Sequence, residues 1–169
     1  MPEVLPFYDD RVLFATQMPT QVNAILQQAV AAYEDTKRAE SLLWKAQQLG
    51  PEQLAVYVAL YKFYFYKNYL EDAERVVHMA LSRSAEQGGF AQDWQQLTPA
   101  STDWFVGDGP QRYYLYSLKA LGFIRLRLDD AAMGKAVLQK LALLDPDDQV
   151  GGSVLLDLAA GLELEDDDG

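Results

Sequence analysis

Three stretches decide the fold: AESLLWKAQQLGP at 39–51, AERVVHMALSRSA at 73–85 and GKAVLQKLALLDP at 134–146. Ala39, Leu43, Ala46 and Pro51 are separated by steps of 4, 3 and 5; Ala73, Val77, Ala80 and Ala85 repeat those steps 34 residues on. Gly134, Leu138, Leu141 and Pro146 carry them a third time. Steps of three and four put residues on one face of a helix. A small residue alternating with a large one lets a neighbouring helix approach closely there. Proline ends the run because it lacks the N–H that the next turn needs.

Other helices flank these stretches. Thr20 to Tyr33 carries Val22, Ile25, Leu26, Ala29 and Val30 at helical steps, with Thr20 placed to cap it. Lys37 to Leu49 follows and stops at Gly50-Pro51. Pro51 to Tyr66, Leu70 to Ala85, Arg112 to Leu128 and Asp130 to Leu144 are further helices. Ser153 to Leu164 is the last, with Val154, Leu155, Leu158 and Leu162 as its apolar stripe. Strand patterns are nearly absent, so the fold class is all-α. The first helices of successive pairs also agree in offset: Tyr57, Leu60 and Tyr64 match Leu118, Leu121 and Arg125, with Asn23, Leu26 and Val30 a weaker first copy.

The pattern resembles the tetratricopeptide repeat (TPR), whose signature is W-x₂-L-G-x₂-Y in one helix and A-x₃-F-x₂-A-x₄-P in the next. Three units are expected at about 20–53, 54–87 and 115–148, as in small bacterial-type members of that family. The second unit departs from the pattern, with Tyr61 where the family has Gly and Ala85 where it has Pro. The resemblance implies a right-handed superhelix of three antiparallel helix pairs. A capping helix at about 153–164 completes one domain over 1–164, and 165–169 form an acidic tail. Val154, Leu155 and Leu158 would cover the open apolar end of the last pair, as terminal elements of solenoids do.

The spacing breaks once. Ala85 to Pro146 is 61 residues, which places an insertion of about 27 residues at roughly 86–112. Its glycines and prolines make it loop-like, with one short helical turn expected near Ala91 to Leu97. Phe90, Trp94, Trp104 and Phe105 distinguish it from a disordered linker. Those rings either pin the loop onto the helices or form a lip that holds a partner.

Composition narrows the chemistry. The chain has 169 residues, 14 basic and 25 acidic side chains, a net charge of −11, one His and no Cys. That excludes disulfides, thiolate metal sites and cysteine nucleophiles, and a lone His cannot build a multi-imidazole zinc site. An acidic chain is a poor partner for nucleic acid. No stretch of about 20 apolar residues offers a membrane span, and MPEVLPFYDDRVLF at the start carries Asp9 and Asp10 where a signal peptide would be basic. A soluble, cytoplasmic protein is expected. His78 reads as a helix-surface residue. The pairs Asp9-Asp10, Asp129-Asp130 and Asp147-Asp148 read as caps and solvated turns. Neither a phosphate loop nor a calcium loop has the required spacing. No metal, no cofactor and no catalysis are expected.

The resemblance implies a protein–protein interaction module (a scaffold, adaptor or chaperone-like protein) whose concave surface comes from the first helix of each pair. Family positions map onto Gln21, Ala24, Gln28 and Ala31 in the first unit and onto Ala55, Val58, Lys62, Phe65 and Tyr66 in the second. In the third they map onto Tyr116, Lys119, Phe123, Leu126 and Arg127. Ala24 and Gln28 stand where the carboxylate-clamp subfamily has Lys and Asn. Lys62, Lys119 and Arg127, with Phe65, Tyr66, Tyr116 and Phe123 between them, make a basic and aromatic strip expected to hold an acidic and apolar peptide segment. Two alternatives stand beside this: a class II chaperone of type III secretion translocators, and a small-molecule sensor or enzyme with a pocket under the 86–112 insertion.

Overall fold

The computed structural model describes residues 18–168, with side chains through residue 162. Asp9, Asp10 and the rest of the first 17 residues lie outside that range, as do the side chains of the acidic segment. Seven α-helices and one 3-10 turn make up the regular structure of the described residues. They are α1 (Thr20–Ala31), α2 (Thr36–Leu49), α3 (Leu54–Tyr66), α4 (Leu70–Gly88), the turn Trp94–Gln96, α5 (Pro110–Arg127), α6 (Ala131–Leu144) and α7 (Ser153–Asp168). The chain divides into two compact units, described over 18–80 and 81–168, and the division falls within α4.

Turn features recur at the offsets of the small-residue spacing. Asn68 and Asp129, 61 residues apart, both take a left-handed conformation just past a first helix. The next amide then reaches back five residues: Tyr69 N–H to Tyr64 O at 2.8 Å, and Asp130 N–H to Arg125 O at 2.9 Å. Short polar side chains tolerate that backbone better than other non-glycine residues. The second helices begin on equivalent caps. The Asp35 carboxylate accepts from Arg38 N–H and the Asp130 carboxylate from Met133 N–H, both at 3.2 Å. They end on equivalent caps too: Gly50 N–H donates to Ala46 O at 2.9 Å, and Asp145 N–H to Leu141 O at 2.8 Å. Pro51 and Pro146 follow these two ends. With Ala85 in the matching place, α4 runs on to Gly88 and reaches 19 residues. Some helix starts differ from expectation. Pro19, one residue before Thr20, holds the N-cap position of α1; α3 begins at Leu54 because Pro51 belongs to the turn before it; and α5 begins at Pro110, two residues before the expected Arg112 and within the segment expected as insertion.

In the unit described over 18–80, α1 packs on α2 and α2 on α3. Ala39 and Ala46 are fully buried. Space is tight at Gly50: a Cβ there would lie 2.9 Å from Gln53 Cγ and 3.0 Å from Val22 Cγ2, so those side chains would have to shift. Tyrosine hydroxyls tie α2 to α3. Trp44 Nε1–H donates to Tyr64 OH at 2.8 Å, which donates to Glu40 Oε2 at 2.6 Å, and Tyr57 OH donates to Pro51 O at 2.5 Å. Burial, then the bond to Glu40, pushes the Tyr64 phenol up to about 12.

In the unit described over 81–168, α5 packs on α6 and α6 on α7. Gly122 and Gly134 meet where α5 and α6 pack. A Cβ on Gly134 would sit 2.7 Å from Leu126 Cδ2 and 3.0 Å from the Gly122 carbonyl oxygen. Gly152 opens α7, as Leu155 and Leu156 amides donate to its carbonyl at 3.1 Å. Helix α7 packs through Leu155 and Ala159, which are buried, whereas Val154 and Leu158 are exposed. The expectation that Val154 and Leu158 would help cover the last pair is therefore corrected. Its inward stripe is turned about 100° from theirs, one residue's rotation on a helix. The helix backbone continues through Asp168, so residues 165–168 extend α7 instead of forming a separate tail.

The insertion leaves and rejoins the helices at neighbouring points, for a Cβ on Gly88 would lie 3.3 Å from Pro110 Cβ. Its one regular turn is Trp94–Gln96, capped by the Asp93 carboxylate accepting from Gln95 N–H at 2.9 Å.

Candidate functional site

The strip expected from the sequence is largely inside the protein. Lys62 is 5% exposed and Lys119 3%; Phe65, Tyr116 and Phe123 are buried and Tyr66 half-buried. Arg127 alone of the seven is exposed. The reason lies in α3 and α5, which carry apolar or aromatic residues on every side. Every residue of α3 except Ala59 and Tyr66 is buried, and so are most of those of α5 from Tyr114 onward.

Lys119 has a structural task. Its Nζ donates to the Val150 carbonyl at 2.7 Å and stands 5.5 Å from the Tyr116 ring centroid. The loop it holds is fastened from the other side by buried Asp145, whose carboxylate accepts from the Gln149 and Val150 amides, each at 3.0 Å. Arg112 donates to Gln149 Oε1 at 2.7 Å. The roles of Lys119 and Asp145 depend on main-chain groups of residues 149–150, which no side-chain pattern announces.

The insertion's rings differ in burial and in what they touch. Phe90, Trp104 and Tyr114 form one cluster, with ring centroids 5.0 Å (Phe90–Trp104) and 5.1 Å (Phe90–Tyr114) apart. Trp104 Nε1–H donates to Thr98 O at 3.0 Å, and Tyr114 OH to Gln92 O at 2.9 Å. Burial holds the Tyr114 phenol far above its ordinary range, with Asp93 adding to the effect. Burial also pushes Tyr113 up to about 12. Lys140 Nζ donates to Leu97 O at 2.6 Å. Phe90 and Trp104 thus pin the loop, Trp94 is half-buried, and Phe105 is 57% exposed.

The family-derived positions on α1 are open. Gln21, Ala24, Gln28 and Ala31 are all exposed and run along one side of the helix. His78 is on the surface of α4, its Nε2 3.6 Å from Glu74 Oε2, as its sequence position suggests. Among the described residues no three His, Cys, Asp or Glu side chains gather as a metal-binding group, and no helix is long and apolar enough to cross a membrane.

No family model matches the chain. It is similar to an uncharacterized 19.8 kDa protein in the nifW 5′ region of Azotobacter chroococcum mcd 1, at 34% identity over 124 residues that cover 72% of this chain and 70% of the relative. The chain belongs to that protein's family. The structure supplies an all-α frame with exposed residues along one side of α1 and an insertion pinned by aromatic rings.

Proposed function

We propose that the chain is a non-catalytic protein–protein interaction module, built as a TPR-like superhelix. The observation that carries this reading is the recurrence of turn and cap geometry at the offsets of the small-residue pattern, at Asn68 and Asp129 and at Gly50 and Asp145. Helix pairs repeated in this way create extended surfaces suited to partner proteins. The partner meets α1 at Gln21, Ala24, Gln28 and Ala31. Amide side chains can both donate to and accept from a peptide backbone, and the alanines between them admit it closely. Because the Azotobacter relative lies in a nifW 5′ region, the nifW product is the first partner to test.

The test is titration calorimetry of the purified chain with that product, repeated with the Ala24→Arg/Ala31→Arg double variant. Binding by the wild type that the double variant loses, with its melting temperature unchanged, is the expected result. Equal binding by both removes α1 as the surface. Turnover in a broad hydrolase, transferase and nucleotide screen, abolished by one substitution, overturns the non-catalytic reading.

A further inference from the structure

Helix α7 has an apolar stripe that the described residues leave uncovered. Val154 is 68% exposed and Leu158 47%, although Leu155 and Ala159 beside them are buried. Gly161, one turn further, has no atom within 4 Å of where a Cβ would be, so that position is open as well. Asp157, one turn from Val154 and next to Leu158, is exposed with them. Six of the sixteen residues of α7 are Asp or Glu, and none is Lys or Arg. Five of the six fall within 163–168 of the sequence, the end of a helix at which the dipole favours cations. The helix therefore combines an apolar anchor with an unbalanced negative charge.

We infer that the outer face of α7 docks a basic amphipathic helix of another protein. Apolar residues of that helix sit on Val154 and Leu158, and its Lys or Arg side chains answer the acidic residues of α7. A second copy of this chain is disfavoured as occupant, since it brings another −11 charges and the same acidic helix. The inference rests on the reading of the chain as an interaction module and adds a surface distinct from α1.

The experiment uses fluorescence anisotropy with the full chain and a labelled synthetic helix that has leucines along one face and lysines elsewhere. The lysine probe should bind, and Val154→Ser/Leu158→Ser should weaken it about tenfold or more. Replacement of Glu163 and Glu165 by Gln and of Asp166, Asp167 and Asp168 by Asn should also weaken it and flatten its salt dependence. A probe with glutamates for lysines should not bind. The inference is overturned if the serine variant binds equally well, or if a scrambled lysine peptide without an apolar face does. It is also overturned if sedimentation shows a dimer that the serine variant dissolves. A chain that holds its partner through α1 yet ignores the probe keeps the interaction-module reading and removes this one.

Discussion

Replacing Gly134 by Ala tests the close approach of α5 and α6. In a helix interior the change alone favours the folded state by about 1 kcal/mol. Here the new Cβ would stand 3.0 Å from the Gly122 carbonyl oxygen, a backbone atom, and 2.7 Å from Leu126 Cδ2. A side chain can turn aside; a helix backbone has to move, and overpacking of this kind costs about 1–3 kcal/mol. The net effect of Gly134→Ala is then between neutral and about 2 kcal/mol destabilising. Gly161→Ala supplies the reference, because nothing lies within 4 Å of its Cβ position and only the favourable helix term applies. With a urea slope of about 2 kcal/mol per molar, the midpoints of the two variants should differ by about 0.5–1.5 M. Urea denaturation followed by circular dichroism reads this directly. Equal rises in midpoint for both variants would refute the close contact and the small-residue reasoning behind it.

Tyr64→Phe removes the acceptor for Trp44 and the donor to Glu40, at a cost of about 1–3 kcal/mol by chemical denaturation. The Tyr64 phenol is raised to about 12, so its contribution is complete below pH about 10, the unfolded value, and is lost as pH rises toward 12. A tyrosinate absorbance titration should show one fewer late-ionising group in that variant. Lys119→Met should destabilise the protein by about 1–3 kcal/mol and speed hydrogen exchange at Val150 and Gly151, since it leaves the Val150 carbonyl without its lysine donor. Trp104→Ala should cost about 3–5 kcal/mol, whereas Phe105→Ala should stay within about 0.5 kcal/mol; equal melting temperatures would show that the rings do not pin the insertion.

The helix pairs could be read from the sequence because Ala39, Ala46, Gly134 and their counterparts mark close packing at fixed steps, and Pro51 and Pro146 mark its end. The overrun of α4 follows from the missing proline at Ala85. The candidate strip could not be read in this way. Helices α3 and α5 are apolar nearly all round, so periodicity cannot say which side is open, and Lys62 and Lys119 read as surface cations although both are buried. Helix α7 posed a similar ambiguity: Val154 and Leu158 form as good a stripe as Leu155 and Ala159, and only packing on α6 chooses between them.

The meeting of the insertion's two ends at Gly88 and Pro110 makes the segment between them a cassette. A closed loop whose ends touch can lengthen or shorten at little entropic cost, about 0.6 kcal/mol per doubling. Its attachment is chemical instead: Phe90 meets Tyr114 edge to face and Trp104 packs on it at a tilt, and Tyr114 is fully buried in their company. A shortened version would have to bring its own ring to that socket or replace Tyr114 with a residue that tolerates water. Added length in this region costs little, and the aromatic plug is what fastens the segment to the helices.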